Sequence, residues 1–281
     1  MRPVQQGGAY ALPTGTALLL HDAGVDVRNV LARAGLPHDF LARGAVWLPG
    51  DRYFALWHAL EDEVDDPLLP IRLGDAFSID AFDPMIFAAM CSRNLEVAAG
   101  RLSTYKRLVA PMHLSIDRRV DELTLSFEWP GESSVPAVLA LSELAFVVAL
   151  VRTATRSRVR PVRVATPVPP RPGGPFREYF GISVERAGST SITFSAADAV
   201  RPFLTVNDPM WQEFEPQLRA RLADLDVGTS VAARVRASLL ELLPSGEASV
   251  GSVARALAMS VRSLQRQLQI EGTSFQRVLA E

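Results

Sequence analysis

The stretch SVGSVARALAMSVRSLQRQLQIEGTSFQRVLAE, residues 249–281, sets the organisation of this chain. Ser249 is a favoured N-cap residue, and apolar side chains recur after it at intervals of three and four, which is the spacing of one helix face. Ala254 is small at the position where a second helix has to cross closely. The pattern predicts a short helix whose inward face is formed by Val250, Val253, Ala254 and Leu257.

A second helix is predicted after a turn at Ala258 and Met259. Ser260 can cap this helix, and Leu264 and Leu268 form its inward side. Its outer face holds neither an acid nor a large apolar residue, and two helices joined by a short turn are typical of a helix-turn-helix. The outer face consists of Arg262, Ser263, Gln265, Arg266 and Gln269.

A third helix is predicted beyond Gly272, because glycine readily adopts the left-handed conformation that ends many helices. Thr273 and Gln276 have the T-x-x-Q spacing of a capping box, which predicts that the next helix begins at Thr273.

The outer face of the second helix has the chemistry of a DNA reader. Arginine forms paired hydrogen bonds with guanine O6 and N7, and glutamine does so with adenine N6 and N7. Either side chain can also hold phosphate without reading sequence. Spacing alone leaves a further alternative open, which is an ordinary helical hairpin with a solvated polar face.

The run VARALAMSVRSLQRQLQIEGTSFQRVLAE resembles the first helix-turn-helix of AraC-type (AraC/XylS) transcription regulators, through the pattern A-x-x-L-x-M-S-x-R-x-L-Q-R-x-L-x-x-E-G-x-S-F. Ala258 departs from that pattern, since glycine often eases the turn there. The family's second helix-turn-helix would follow Glu281, so the resemblance implies a sequence truncated after the first. The base-reaching positions that the resemblance implies are Arg262, Gln265 and Arg266, with Ser263 and Gln269 beside them.

Composition and charge restrict the class of protein. With 48% hydrophobic and 21% charged residues the chain has the composition of a globular protein, and its net charge of -2 means that any nucleic-acid contact has to come from a local patch. Cys91 is the only cysteine, which excludes an internal disulfide and favours a reducing compartment. The apolar stretches are too short or too interrupted for a signal peptide or a membrane span, so we expect a cytoplasmic protein without membrane contact.

The rest of the chain mixes helical and strand periodicities. Alternating apolar residues predict a hairpin across residues 114–127. Residues 137–155 are predicted to form a strongly apolar central helix. Other helices are predicted in residues 14–43, 51–63, 69–77, 84–91, 95–112 and 176–180, and strands at residues 162–165, 182–184 and 192–194. The predicted fold class is α+β, a mixed α/β N-terminal domain followed by an all-α helix-turn-helix module.

Much of this region resembles the arabinose-binding-like sensor domain that precedes the DNA-binding module in a branch of AraC-type regulators. The residues that carry the resemblance are PLLPIRLGDAF, FAAMCSRNLEVAAGRLSTYKRLVAP, FREYFGISVERAGSTSITFSAADAVRPF and TVNDPMWQEFEPQL. The resemblance implies a small-molecule effector without identifying it. Ligand pockets are mostly apolar with a few polar groups, although core packing is the simpler explanation for each candidate taken singly. The candidate ligand-binding residues are Phe77, Phe82, Met85, Phe87, Tyr105 and Arg107.

A long helix is predicted with Asp208 as its N-cap and Pro209 as its first residue. Its apolar stripe can pack against the sensor domain or form a two-helix dimer seam, and the spacing does not distinguish these alternatives. The family resemblance favours the seam and therefore a homodimer. Residues 226–230 are predicted to be a linker. The stripe consists of Trp211, Phe214, Leu218, Leu222 and Leu225.

These patterns predict three parts. They are a ligand-sensing α+β domain at residues 1–207, a dimerisation or linker helix at residues 208–228, and a partial AraC-type DNA-binding domain with the first helix-turn-helix only at residues 229–281. The first helix of the last part carries Val231, Val235, Leu239 and Leu242 on one face.

Signatures of catalysis, metal binding and cofactor binding are missing from the sequence. The four histidines are scattered, and the chain has no nucleophile elbow, phosphate loop or dinucleotide fingerprint. We therefore expect no enzyme, no metal and no cofactor. The favoured function is a ligand-responsive transcription regulator that binds double-stranded DNA and a small-molecule effector, with RNA polymerase as a candidate partner. The alternative is a small-molecule binding module that lacks effective DNA binding because the second helix-turn-helix is absent.

Overall fold

The computed structural model describes residues 9–12, 16–42, 46–64, 66–79, 84–130, 132, 134–229, 231–232, 235, 238–239, 249–257 and 259–280. The chain divides into two compact units, Met1–Arg219 and Ala220–Glu281. This boundary falls inside the segment 208–228 that the sequence predicts as a linker helix.

The first unit is a mixed α/β structure that begins with helices and continues with a sheet. The helices form where the sequence shows helical spacing, and Asp26 and Asn94 cap two of them with their side-chain oxygens. The described helices are α1 (Thr16–Asp22), α2 (Val27–Arg33), α3 (Gly50–Glu63), α4 (Leu69–Ile79), α5 (Pro84–Met90), α6 (Leu95–Tyr105), α7 (Ala137–Thr155), α8 (Gly174–Phe180), α9 (Ala196–Ala199) and the first part of α10 (Asp208–Thr229).

Two sheets are described in the first unit. The strands are β1 (Ala9–Leu12), β2 (Val46–Pro49), β3 (His113–Arg118), β4 (Glu122–Glu128), β5 (Arg163–Thr166), β6 (Glu185–Arg186) and β7 (Thr190–Ser195). β1 and β2 form an antiparallel pair, and the larger sheet has the order β3-β4-β7-β5-β6. Its strands pair antiparallel except for β5 and β6, which are parallel.

The predicted β3–β4 hairpin is confirmed, and Ile116 lies opposite Leu125 in it. Leu123, Leu125 and Phe127 are buried on one face of β4. The strand predicted at residues 182–184 is wrong, because the sheet pairs Glu185 and Arg186 with β5 instead. Both residues of β6 are exposed. An exposed strand does not show the alternation of apolar and polar side chains, so the sequence does not reveal this edge strand.

α7 is the core helix of the first unit. Leu139, Leu144 and Leu150 are completely buried. Gly74 of α4 lies directly against it, so close that a Cβ built on Gly74 would be 2.5 Å from the Cβ of Ala145. Among the described residues, α7 is the one helix with the length and apolar composition of a membrane span, and 78% of that apolar window is buried inside the protein.

α10 differs from the prediction at both ends. Its N-cap is Asn207, whose Oδ1 accepts a hydrogen bond from the Met210 amide at 3.0 Å. The predicted cap, Asp208, is wrong by one residue, and its carboxylate lies 3.7 Å from Arg93 instead. The predicted linker, residues 226–230, is helical at residues 226–229, which form the end of α10.

In the described part of the second unit, short helices pack around one apolar cluster. After α10 the helices are α11 (Val250–Ala256), α12 (Val261–Ile270) and α13 (Phe275–Ala280), and residues 231–232, 235 and 238–239 are also helical. Leu242 lies outside the described residues. The buried cluster consists of Val231, Val235, Leu239, Val253, Ala254, Leu264, Leu268, Phe275 and Val278.

Local capping chemistry fixes the ends of these helices. The hydroxyls of Ser249 and Ser260 each accept a hydrogen bond at 3.1 Å from a backbone amide three residues on, as predicted. The cap of α13 is Ser274, which accepts from the Arg277 amide, so the predicted cap Thr273 is wrong. The reason is that Thr273 still belongs to the end of α12, where its amide donates to the Leu268 carbonyl at 2.9 Å.

Glu271 joins distant parts of the second unit. Its two carboxylate oxygens accept hydrogen bonds from the amides of Val231 at 2.6 Å and Ala232 at 2.9 Å. Val231 and Ala232 are helical. The turn after α12 is therefore hydrogen-bonded to the backbone about 40 residues earlier in the chain.

Candidate functional site

The outer face of α12 is the first candidate site. Arg262, Gln265 and Arg266 are exposed, as is Gln269 one turn further on. On the opposite side Leu264 and Leu268 are both fully buried. The helix therefore has one anchored side and one polar side that carries two positive charges, with no acid between Val261 and Ile270.

Ser263 differs from its four neighbours on the predicted face. It is half-buried. Its hydroxyl accepts a hydrogen bond from the Ser260 hydroxyl at 2.9 Å, and its amide donates to the same oxygen. Ser263 is thus engaged in the cap of α12.

Short-range contacts hold α12 against α11. The Met259 amide donates to the Ala254 carbonyl at 2.8 Å, which closes the turn between the two helices. Ala254 is 1% exposed, and its small side chain lets the helices approach closely at the buried cluster. At the other end, Gly272 has φ of +74°, a conformation that favours glycine.

A cavity inside the first unit is the second candidate site. Its volume is about 80 Å³, and its walls are mainly apolar. The lining residues are Leu12, Thr16, Leu20, Val30, Tyr53, Leu56, Trp57, Leu60, Leu73, Met85, Ile86, Lys106, Val109, Ala110, Ser142, Glu143 and Phe146. They come from β1, from α1 to α5, from α7, and from the segment that follows α6.

Lys106 and Glu143 form a buried ion pair in the cavity wall. Lys106 Nζ lies 2.8 Å from Glu143 Oε2, and the two residues are 8% and 9% exposed. The contact lacks the angles of a hydrogen bond, which leaves Glu143 Oε2 without a hydrogen-bond donor in the described part of the chain. Lys106 Nζ also lies 5.1 Å from the centre of the Phe146 ring, within the range of a cation–π contact.

Ser142 and Tyr53 also lie in the wall, and neither side chain is charged. The Ser142 hydroxyl donates to the Val138 carbonyl at 2.7 Å. Burial, and then the negative charge of Glu143, raise the pKa of the Tyr53 phenol far above its usual value, so Tyr53 stays uncharged. The charge at the cavity therefore resides in the Lys106–Glu143 pair.

Of the four predicted ligand-binding residues whose side chains the structure describes, Met85 lies in the cavity wall. Phe87, Tyr105 and Arg107 are not in the lining, although each adjoins in sequence a residue that is. The Phe77 side chain and all of Phe82 lie outside the described residues.

Two sequence signals could have found the ion pair. Lys106 is the only lysine of the chain, and Glu143 is the only acid in the apolar segment Ala137–Thr155. A charged residue inside an apolar helix needs a partner, because an unpaired buried charge is very costly. The sequence does not say which basic residue that partner is.

The predicted stripe of α10 packs partly on its own unit. The guanidinium carbon of Arg101 lies over the Trp211 ring, 3.9 Å from the ring centre. The ring centres of Trp211 and Tyr105 are 6.2 Å apart. Phe214 stacks on Phe87 at 6.0 Å. Of the other predicted positions, Leu218 is 1% exposed, Leu222 is half-buried, and the Leu225 side chain lies outside the described residues.

Cys91 is the one cysteine of the chain. The Cys91 thiol is buried, and burial raises its pKa, so its nucleophilic thiolate form is disfavoured. In the part of the chain that the structure describes, no three His, Cys, Asp or Glu side chains are grouped so as to hold a metal ion.

Known proteins resemble this chain over most of its length. It is 29% identical over 219 residues to the ornithine utilization regulator of Pseudomonas aeruginosa, a match that covers 76% of this chain and 64% of the regulator. The chain therefore spans less than two thirds of that relative. The crystal structure of the transcriptional regulator CdpR from Pseudomonas aeruginosa has the same fold, with a TM-score of 0.51, 20% identity, and coverage of 93% of this chain and 82% of that one.

A match to a protein family identifies the family of this chain. The family described as the arabinose-binding domain of AraC transcription regulators, N-terminal, matches residues 24–203, which is more than half of the 281 residues. This is a family of transcription regulators and not of enzymes. The chain belongs to the AraC transcription regulators that carry an N-terminal arabinose-binding domain.

Proposed function

We propose that this chain is a ligand-responsive transcription regulator, in which α12 reads the major groove of double-stranded DNA and the first unit binds a small-molecule effector. The observation that carries the proposal is the outer face of α12, where Arg262, Gln265, Arg266 and Gln269 are exposed while the inner side is fully buried. The family membership of the chain supports the regulatory role.

The dimensions of this face fit the DNA major groove. An α-helix rises about 1.5 Å per residue, so Arg262 and Gln269 are separated by about 10 Å along the helix axis. Base pairs are spaced about 3.4 Å apart along each strand, and the face therefore covers about three steps. Arginine and glutamine are the side chains that form paired hydrogen bonds with guanine and adenine.

The connection between α11 and α12 supports the proposal of a helix-turn-helix. Residues 257–260 join the two helices, and the Met259 amide closes the turn on Ala254. Val253 and Ala254 of α11 share one buried cluster with Leu264 of α12. In this arrangement the first helix supports the second helix, which enters the groove with its N-terminal residues against the bases.

The cavity wall adjoins residues that contact α10. Ile86 and Lys106 line the cavity, and their sequence neighbours Phe87 and Tyr105 contact Phe214 and Trp211 of α10. α10 is continuous from Asp208 to Thr229 and so leads from the first unit into the second. A ligand that moves α5 or the segment after α6 would change these aromatic contacts, which is a route by which an effector shifts the population of regulator states.

A homodimer forms part of the proposal, because paired helix-turn-helix units read two half-sites. Trp211 and Phe214 already contact residues of their own unit, and Leu218 is buried. Leu222 is half-buried, as are Trp211 and Phe214. Dimerisation through α10 stays a prediction.

The test is DNA selection followed by a binding assay with the whole chain. Selection from a random duplex library gives the preferred sequence, and gel shifts then compare it with a scrambled duplex. Arg266→Ala should reduce the discrimination between the two by about 1–3 kcal/mol, because one bidentate base contact is lost.

The matched control is Arg277→Ala, which removes an exposed arginine from α13. It should leave the discrimination unchanged. If Arg266→Ala and Arg277→Ala behaved alike, α12 would not be the reading helix. If no sequence were enriched and binding were weak, the chain would instead fit a small-molecule binding module without effective DNA binding.

A further inference from the structure

The wall of the cavity in the first unit is mainly apolar and contains one ion pair. Leu56, Leu73 and Met85 are among the aliphatic residues of its wall. At about 80 Å³ it has about half the volume of the cavity, on the order of 150 Å³, that accepts benzene in an engineered protein core. A ligand that fits it is small and mainly apolar.

The ion pair in the wall is electrically neutral as a unit. Lys106 and Glu143 are both more than nine-tenths buried and lie 2.8 Å apart. A ligand with a net charge would add an unbalanced charge to a region of low dielectric constant, which is unfavourable. The pair therefore selects against both anions and cations.

The same pair retains capacity for hydrogen bonds. Glu143 Oε2 accepts none within the described part of the chain. An ammonium group has three donors, and Lys106 Nζ has as neighbours Glu143 and the face of the Phe146 ring. A ligand head with one acceptor and one donor would satisfy both residues at once. A primary amide has this combination, with its carbonyl facing Lys106 and its N–H facing Glu143.

We propose that this cavity is the effector site, and that its ligand is a small uncharged compound with an apolar body and one amide-like head that bridges Lys106 and Glu143. The inference rests on the proposed effector role of the first unit. It adds the chemical class of the effector and the two side chains that read it.

The test uses three three-carbon probes that differ in charge, namely propanamide, propanoate and propylammonium, each with fewer heavy atoms than benzene. Binding to the whole chain at neutral pH is measured by ligand-observed NMR at millimolar concentrations, which suits weak binding. Propanamide should bind the wild-type protein at least about tenfold more tightly than either ion, a ratio that corresponds to about 1.4 kcal/mol. No binding by any probe, or equal or tighter binding of an ion, would overturn the proposal.

Two substitutions should change the preference in opposite directions. Glu143→Gln leaves the positive charge of Lys106, so propanoate should become the preferred probe. Lys106→Met leaves the negative charge of Glu143, so propylammonium should become preferred. If the ranking in a folded variant matched the wild type, the ion pair would not read the ligand. If one variant fails to fold, the other variant and the wild-type ranking decide.

A third variant tests the location. Ala110 lines the cavity and is 2% exposed, so Ala110→Leu should fill the space and weaken binding of all three probes. Unchanged binding would exclude this cavity as the site. Because the assay contains no DNA, a negative ligand result would not change the conclusion on sequence-specific DNA binding. A loss of DNA discrimination would likewise not change the ligand result.

Discussion

Gly74→Ala is a sharp test of the packing that builds the cavity wall. Gly74 lies in α4 next to Leu73, and it packs against Ala145 of α7, whose neighbour Phe146 also lines the cavity. A Cβ at position 74 would lie 2.5 Å from the Ala145 Cβ and 2.8 Å from the Phe146 backbone nitrogen. Carbon atoms pack best about 3.5–4.0 Å apart, so α4 would have to move by about 1 Å.

The magnitude follows from two opposing effects. Overpacking of a dense core costs about 1–3 kcal/mol, and the upper end applies because the obstructing atoms include backbone that cannot change rotamer. Replacing glycine by alanine inside a helix returns about 1 kcal/mol. The expected net destabilisation is about 2 kcal/mol, which lowers Tm by about 4–8 °C for a unit of this size.

The control is Gly100→Ala, because Gly100 lies inside α6 and a Cβ there would meet nothing within 4 Å. This variant should gain about 0.5–1 kcal/mol. Thermal unfolding followed by tryptophan fluorescence is selective for the first unit, since Trp47, Trp57, Trp129 and Trp211 all lie within Met1–Arg219. If both variants raised Tm, the close approach of α4 and α7 would be refuted.

Two further predictions concern ionic contacts in the two units. Glu271→Ala should destabilise the second unit by about 1.5–3 kcal/mol, since the amides of Val231 and Ala232 lose their hydrogen bonds to a charged acceptor; circular dichroism should report the change, and an unaltered melting profile would contradict the stabilising role of Glu271. Lys106→Met should cost about 3–5 kcal/mol because it leaves Glu143 buried and unpaired, whereas the double variant Lys106→Met with Glu143→Leu should cost much less. Urea denaturation followed by tryptophan fluorescence tests this non-additivity, and additive losses would argue against a coupled pair.

Local patterns in the sequence determine much of the second unit. The period of Leu264 and Leu268 identifies the buried side of α12, because a helix turns through a fixed angle per residue. Ser249 and Ser260 cap their helices as predicted, since a cap involves only neighbouring residues. The exact start of α13 was wrong by one residue because Thr273 is held by the preceding helix end, a competition that a motif alone does not reveal.

The same holds for the strongest elements of the first unit. The β3–β4 hairpin and α7 were predicted because alternation and sustained apolarity are properties of short segments. The β1–β2 pair was missed. Its strands are four residues each, and such short apolar runs do not distinguish a strand from a helix.

The candidate effector site was decided by tertiary structure. Lys106 and Glu143 are 37 positions apart, and Gly74 and Ala145 are 71 apart, so neither contact is encoded in a local period. The predicted ligand set captured Met85 and missed the ion pair, because hydrophobicity marks a side chain as buried without saying what it faces. The sequence by itself determined the family and the polar face of α12, which depend on adjacent residues. Only the folding of α3, α4, α5 and α7 around one space decided where a ligand could lie, because a cavity is formed by residues that meet across the chain.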